Sequence, residues 1–351
     1  MKKIAYIELD THTEIAGNFM ELMNGSDEFS VDYYFSRKIL KQIGSKDSNI
    51  FVTESSDIFN QLKNKNYDLV IIGTVHRYFD VFLKITQHFN TSVIVHNLNF
   101  TTISRFQLFR NIFKKDFKYR LKLLLKEGLL SAPQVFRNAK NLLVLDDGLV
   151  KEDSDFKINF LPVFYLSEYE KQHHPVITIV VPGAVSQKRR NYKKVLNALK
   201  NVQRKSDYQV VFLGKACGEE LSWIKNFEEQ KSEHISVTYF TKKVPQSIFD
   251  KWMQKADILW CPLQEETEFF SQKEFYGLTK MSGNVGDAIK YGKLAIFPQN
   301  YPNSHRFIIP EDENIEEQIS ALPRLRISDF EGNFNKEKVL KSLEQTLSQL
   351  L

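Results

Sequence analysis

The sequence predicts an α/β protein of two doubly wound, Rossmann-like domains that face each other across a cleft. Three observations predict it. The 351 residues exceed what one hydrophobic core usually organises. Short, β-rich apolar runs alternate with segments of helical period along the chain, the pattern of parallel sheets covered by helices. That alternation is interrupted by a polar, irregular stretch after Asp146-Asp147-Gly148 and restarts at Val176.

In the first half KIAYIEL, VDYYF, IFVT, DLVIIGT, SVIVHN and NLLVLD read as strands, with helices expected over 17–23, 57–65, 78–88 and 106–126. The stretch KEDSD, then FLPVFYLSEYEKQHHP, has weak periodicity and a proline near each end, so the interdomain connection is expected there. In the second half VITIVVPG, YQVVFLG, ISVTYF, DILWCPL and LAIFP read as strands, and 192–202, 219–230, 246–255 and 284–291 as helices. A closing helix over 336–350 aligns Leu340, Leu343, Leu347 and Leu350 in one apolar stripe, which must dock on something. The expected units are therefore 1–165, 166–330 and a terminal helix within 331–351.

Apolar residues at 42% and charged residues at 26% exclude a largely disordered or fibrous chain. Cys217 and Cys261 are the two cysteines, and the start of the chain holds only the strand-length run IAYIEL, which speaks against a disulfide framework and a signal peptide. Runs such as VITIVV fall far short of the roughly 20 residues of a membrane span. The expected location is cytoplasmic, with the inner face of the membrane open to peripheral contact. The net charge of +5 is unevenly spread: residues 101–140 hold ten basic and two acidic side chains, a local +8 that leaves −3 for the remainder.

In open α/β sheets ligands bind beyond the carboxyl ends of the strands, so the residues after each run carry most weight. After VITIVV comes Pro182-Gly183, then Lys188, Arg189 and Arg190 before a helix. A flexible turn followed by cations and a helix N-terminus suits a diphosphate, although a solvated basic turn would look the same. After YQVVFL comes Gly214 with Lys215, a weaker anion candidate. No GxGxxG and no GxxxxGK[ST] occurs, so neither a dinucleotide fingerprint nor a P-loop is supported. After DILWCP a long polar loop leads to Thr279, Lys280, Ser282 and Gly283 at a helix start, with Asp287 about one turn further on. Lys280 with hydroxyls and backbone N–H groups would hold a diphosphate, and Asp287 would accept from ribose hydroxyls.

The order of a strand, a basic turn with R-x-Y (Arg190, Tyr192), strand-Gly, F-T-x-x-V-P from Phe240, A-D-I-x-x-x-P from Ala256, and D-A-I-x-x-G-K-x-x-I-x-P from Asp287 resembles the donor domain of GT-B glycosyltransferases. It is similar to the lineage whose donor-site helix reads E-A-x-x-x-G-x-P-V-I. The resemblance covers 176–298 and is diffuse over 1–148, where only the strand and helix rhythm matches. It implies a UDP-, GDP- or similar sugar donor as co-substrate, with no other cofactor, and adds Thr241 and Val244 to the donor-binding candidates. It also implies an acceptor on the N-terminal domain and a last helix that packs back toward that domain. The position matching the lineage's second glutamate is Asp287, and Thr279 stands eight residues before it where the first would be. Retention and inversion are both left open.

The N-terminal half supplies the other wall. Asp10, His12 and Glu14 follow the first strand, His76 follows the fourth and His96 the fifth, and any of the five is a candidate for the general base that takes an acceptor proton. Lys188, Arg189, Arg190 and Lys280 would neutralise the leaving group, and without a D-x-D at a strand end the chemistry is expected to be metal-independent. The segment 105–126 has apolar residues at 106, 109, 113, 117, 121 and 124 with cations between them. Such an amphipathic basic helix suits an anionic membrane surface, or else its apolar side is domain core and its lysines are merely solvated. No nucleic-acid motif accompanies the charge. The leading reading is a metal-independent glycosyltransferase acting on a glycan or lipid-linked acceptor in cell-surface polysaccharide or lipopolysaccharide synthesis. The alternatives are a nucleotide-sugar epimerase on the same fold and a non-catalytic sugar-binding module.

Overall fold

The computed structural model describes residues 1–351 except 46, 152–153, 170–174, 203–205, 303 and 325–328. The first sheet is built from β1 (Lys2–Glu8), β2 (Phe29–Phe35), β3 (Ile50–Val52), β4 (Leu69–Ile72), β5 (Thr91–Ile94), β6 (Asn141–Val144) and β7 (Ile158–Phe160). Its order is β3-β2-β1-β4-β5-β6-β7, with every pair parallel. Helices cover both faces, which is why Ile4, Ala5, Tyr6 and Ile7 are buried without alternation and why the central strands read as continuous apolar runs.

The second sheet contains β8 (Ile177–Pro182), β9 (Tyr208–Lys215), β10 (Ile235–Phe240) and β11 (Ile258–Trp260). An antiparallel hairpin, β12 (Glu266–Phe269) with β13 (Gln272–Phe275), then leaves the sheet before β14 (Leu294–Phe297) and β15 (Ile308–Pro310) complete it. The order is β10-β9-β8-β11-β14-β15, again parallel throughout. In both sheets the strand order reverses beside the first strand, between β1 and β4 and between β8 and β11. The loops after those strands diverge and leave a crevice at each carboxyl edge.

The chain crosses between the two cores along 161–169. Leu161, Val163 and Tyr165 are buried with the first sheet, while Leu166 and Tyr169 pack on the second core. The last helix, Lys336–Leu350, buries Val339, Leu343, Leu347 and Leu350 among Ile4, Tyr6 and Phe19 of the first domain, each worth about 2 kcal/mol of apolar burial.

Two elements differ from the sequence expectation. The segment 106–126 is two helices: Arg105–Ile112, capped by Phe113, and Phe117–Glu127, which starts anew from Asp116 in a left-handed conformation (φ 49°). The long polar loop after Pro262 contains the β12–β13 hairpin, whose tip turns through Phe270 and Ser271 at φ 49° and 57°. Phe269 and Phe270 reach out of their own domain into the core of the first.

Candidate active site

Between the carboxyl edges of the two sheets lies a cavity of about 470 Å³. Its first-domain wall includes His12, Glu14, Asn18 and His96, and its second-domain wall includes Arg189, Arg190, Lys280, Asp287 and Lys290.

His12 ends the loop after β1 and opens the helix Thr13–Met23 in a left-handed conformation (φ 58°, ψ 41°), a strained state for a residue with a β-carbon. Its Nδ1 lies 3.2 Å from Glu14 Oε1, and its ring stacks on His96 with centroids 3.8 Å apart and planes at 10°. Glu14 is held below the usual carboxylate range: burial opposes its charge, but the hydrogen bond and charge of His12 outweigh burial. His96 Nε2 lies 3.0 Å from the Gly73 carbonyl, which can only accept, so Nε2 carries the proton and Nδ1 is left as an acceptor. Burial, joined by the charge of His12, keeps His96 well below the usual imidazole range.

The three histidines do converge, but not equally on the cleft. His76 sits edge-on to both others at 5.8 and 6.0 Å, outside the cavity lining, and burial with the charges of His12 and Lys280 pushes it down to about 3. Asp10 points elsewhere: it pairs with Lys38 at 3.3 Å and lies 3.9 Å from Arg77, on neither wall.

One titratable group here escaped the sequence reading. Glu8, the last residue of β1, is buried and accepts from the Thr74 hydroxyl at 2.7 Å and from the N–H groups of Asp10 and Thr11 at 3.1 and 3.2 Å. Burial pushes its carboxyl up to about 7 against those bonds and the His12 charge. The folded state therefore holds this proton more tightly than the unfolded chain. The stability Glu8 confers is complete below its unfolded value and is lost as pH rises through about 7. Glu8→Gln is expected to reduce the fall in Tm between about pH 5 and pH 8 and to melt above wild type at the alkaline end. Equal slopes for the two proteins would remove the argument.

Behind the opposite wall Gly183 (φ 97°), which does not itself line the cavity, lets the guanidinium of Arg190 lie across the turn after β8; a β-carbon there would sit 2.5 Å from Arg190 Nη2. Arg190 donates to Asn284 Oδ1 at 3.1 Å, and its Nε has no partner among the described residues. Ser282 caps the helix Gly283–Tyr291 by accepting from Asn284 N at 3.3 Å, which leaves exposed Gly283 at the start of that helix on the cleft. Asp287 accepts from Asn284 at 3.2 Å, and burial pushes it up to about 6 against that bond and the Arg190 charge.

Lys280 bridges the domains. Its Nζ donates to Asn97 Oδ1 at 2.7 Å and to the His96 carbonyl at 3.3 Å, and burial pushes it down to about 8 against the pull of Glu274. Thr279, by contrast, is buried in the turn beside it and accepts from Phe275 N at 2.8 Å. Lys188, Lys215 and Thr241 are exposed and Val244 packs on the second core; none of these, nor Thr279, lines the cavity. Lining residues that the sequence did not single out include Gln246, Phe249, Tyr276 and Lys290. Among the described residues, Asp146, Asp147 and His305 bring three possible metal-ligand atoms within 4.8 Å of one another, but none of the three lines the cleft.

No protein-family model matches this chain, and no curated protein matches it. Solved structures do. The structure is similar to Anabaena HepE in complex with UDP and glucose, at a TM-score of 0.58 and 11% identity over 99% of this chain and 100% of that one. It is similar to the lipopolysaccharide outer core galactosyltransferase WaaB, at 0.54 and 13% over 99% and 100%. It is also similar to sucrose-phosphate synthase from Thermosynechococcus elongatus, at 0.59 and 12% over 100% and 99%. These likenesses span both domains and show that the chain has the GT-B fold in a divergent sequence.

Proposed function

We propose that this chain is a glycosyltransferase that moves a sugar from a nucleotide sugar to a hydroxyl of a glycan or lipid-linked acceptor. The observation that carries this reading is the chemistry of the two walls. One presents His12, oriented by Glu14 and stacked on His96; the other presents Arg189, Arg190, Lys280, Lys290 and a helix N-terminus. A diphosphate leaving group belongs on the cationic wall and an acceptor hydroxyl beside the imidazole.

In the proposed reaction the acceptor oxygen bonds to the anomeric carbon and its proton passes to Nε2 of His12, while Nδ1 stays on Glu14. The bond from the anomeric carbon to the diphosphate breaks, and the leaving oxygen keeps the electron pair against Arg189, Arg190 and Lys280. These three cations, with Lys290 on the same wall, supply the neutralising charge, which supports a metal-independent reading. Asp287, which lines the cavity and feels the Arg190 charge, is assigned to accept from a donor hydroxyl. The diphosphate is assigned as that of a UDP-sugar because the HepE structures hold UDP or UDP-glucose. WaaB, which acts on lipopolysaccharide outer core, supports a role in cell-surface polysaccharide or lipopolysaccharide synthesis.

A thermal-shift and calorimetric panel of UDP, GDP, CDP and dTDP tests the donor side. UDP is expected to raise Tm, as any ligand of the folded state does. Arg189 is exposed and its guanidinium has no partner among the described residues, so Arg189→Ala is expected to weaken UDP binding about tenfold without altering the ligand-free Tm. A chain that binds none of the four nucleotides at millimolar concentration would refute the reading.

A further inference from the structure

We propose that the helical pair Arg105–Ile112 and Phe117–Glu127 docks on an anionic lipid bilayer, with Phe106, Phe109, Phe113 and Phe117 inserted among the lipids. The inference does not depend on the transfer reading; it stands on how this surface is built.

The inward side of the pair is already filled. Leu108, Ile112 and Leu123 are buried in the first-domain core. Asn111 donates to the Phe270 carbonyl, and buried Arg120 donates to the Asn111 carbonyl and to Ser271. The four phenylalanines are additional to that packing, at 73, 46, 63 and 45% exposure. Three of them form one continuous row, the ring centroids of Phe109 and Phe113 lying 5.6 Å apart, as do those of Phe113 and Phe117, and Phe106 precedes Phe109 by three residues on the same helix. Leu125 at 73% is also exposed on the second helix. Soluble monomers rarely leave such a patch bare, and a single exposed phenylalanine would need no explanation.

The charge around the row identifies the occupant. Arg105, Arg110, Lys114, Lys118, Lys122 and Lys126 are all exposed and none makes a direct ion pair among the described residues, although the charges of Lys114 and Lys122 reach Glu268 and Glu127. Lys115, exposed in the same segment, is paired with Glu268. An apolar row flanked by unpaired cations matches the two layers of a bilayer surface, acyl chains for the rings and anionic headgroups for the ammonium and guanidinium groups. Residues 105–127 hold eight basic and two acidic side chains, +6 against −1 for the rest of the chain, so an anionic surface attracts this face above the others and charge also orients the molecule. A nucleic-acid strand fits less well, because it needs free ring faces for its bases whereas Phe113 and Phe117 stack on each other.

The test is flotation of the full chain with vesicles of phosphatidylcholine and phosphatidylglycerol in a seven-to-three ratio, set against vesicles of phosphatidylcholine alone. The chain is expected to bind the mixed vesicles at least about tenfold more tightly, with binding weakened by salt. Phe106→Ser with Phe109→Ser, Phe113→Ser and Phe117→Ser removes the inserting rings, and Arg110, Lys114, Lys118 and Lys122→Gln removes the charge; each set is expected to reduce partitioning about tenfold or more with an unchanged melting curve. Should the fourfold phenylalanine variant misfold, Phe106→Ser with Phe113→Ser, the two most exposed positions, carries the same comparison. Failure to bind the mixed vesicles, equal binding to both vesicle types, or insensitivity to both variant sets overturns the proposal. So does a dimer in solution that the phenylalanine variant dissolves, or an RNA oligonucleotide that displaces the chain from vesicles.

Discussion

Replacing His12 by asparagine is expected to lower kcat by about 10²–10⁴-fold while leaving the melting temperature close to wild type. Asparagine is the informative substitution because of the backbone. His12 stands at φ 58°, ψ 41°, and asparagine enters that left-handed region more readily than most residues. It is also a favoured residue at the start of a helix, so the entry to Thr13–Met23 is preserved. What is removed is the imidazole that faces the cleft and stacks on His96. Glu14→Gln is the companion variant. It keeps a hydrogen-bond acceptor near Nδ1 of His12 but deletes the negative charge that stabilises the imidazolium formed when the acceptor gives up its proton. Its expected loss in kcat is about tenfold. A steady-state assay in which His12→Asn turns over at the wild-type rate would move the base elsewhere. His96 would then be the next candidate, because its Nδ1 is the remaining unprotonated imidazole nitrogen on that wall.

The convergence of His12, His76 and His96 was readable because each follows a strand, and strands β1, β4 and β5 are neighbours in a parallel sheet, so residues after them share one edge. Depth was not readable. Nothing local distinguishes His76, which lies behind the cavity wall, from His96, which lies on it. On the second domain the motif located turns and helix starts that reach the cleft, but not the direction of each side chain. Arg189 and Arg190 are adjacent to Lys188, yet Lys188 faces solvent; Thr279 is adjacent to Lys280, yet its hydroxyl closes a turn. Glu8 was hidden because it ends an apolar strand like any solvated terminal residue, and its burial depends on Thr74 after β4. The break at Asp116 was concealed for a related reason. The phenylalanine spacing of three and four runs through the turn between the helices, so the pattern of one amphipathic helix persists where the backbone does not.

The β12–β13 hairpin leads to the second large effect: Glu274→Ala is expected to destabilise the protein by about 3 kcal/mol and to loosen the two domains from each other. Its sequence, ETEFFSQKEF, looks like a solvated loop because the residue that matters is a glutamate. Glu274 is fully buried, and it accepts from the backbone N–H groups of Asn99 and Phe100 in the first domain at 3.2 and 2.9 Å. Removing it leaves two donors at that interface without acceptors, each costing about 1–3 kcal/mol where water does not reach. The visible ion pair across the same junction, Lys115 with Glu268, is exposed at 60% and 44% and contributes at most about 1 kcal/mol, so its loss should go almost unnoticed. Phe270 adds apolar contact: it is buried in the first-domain core and meets Phe100 at 5.5 Å between centroids, so Phe270→Ala costs about 3 kcal/mol more. Because both side chains act between domains, the double variant is expected to melt in two steps, and its radius of gyration in solution to exceed that of the wild type. The cleft would widen with it, since the bridge from Lys280 to Asn97 lies beside the hairpin and spans the same junction. Calorimetry decides the matter: one transition at the wild-type temperature in the double variant would mean that the crossing from 161 to 169 and the terminal helix hold the domains together without the hairpin.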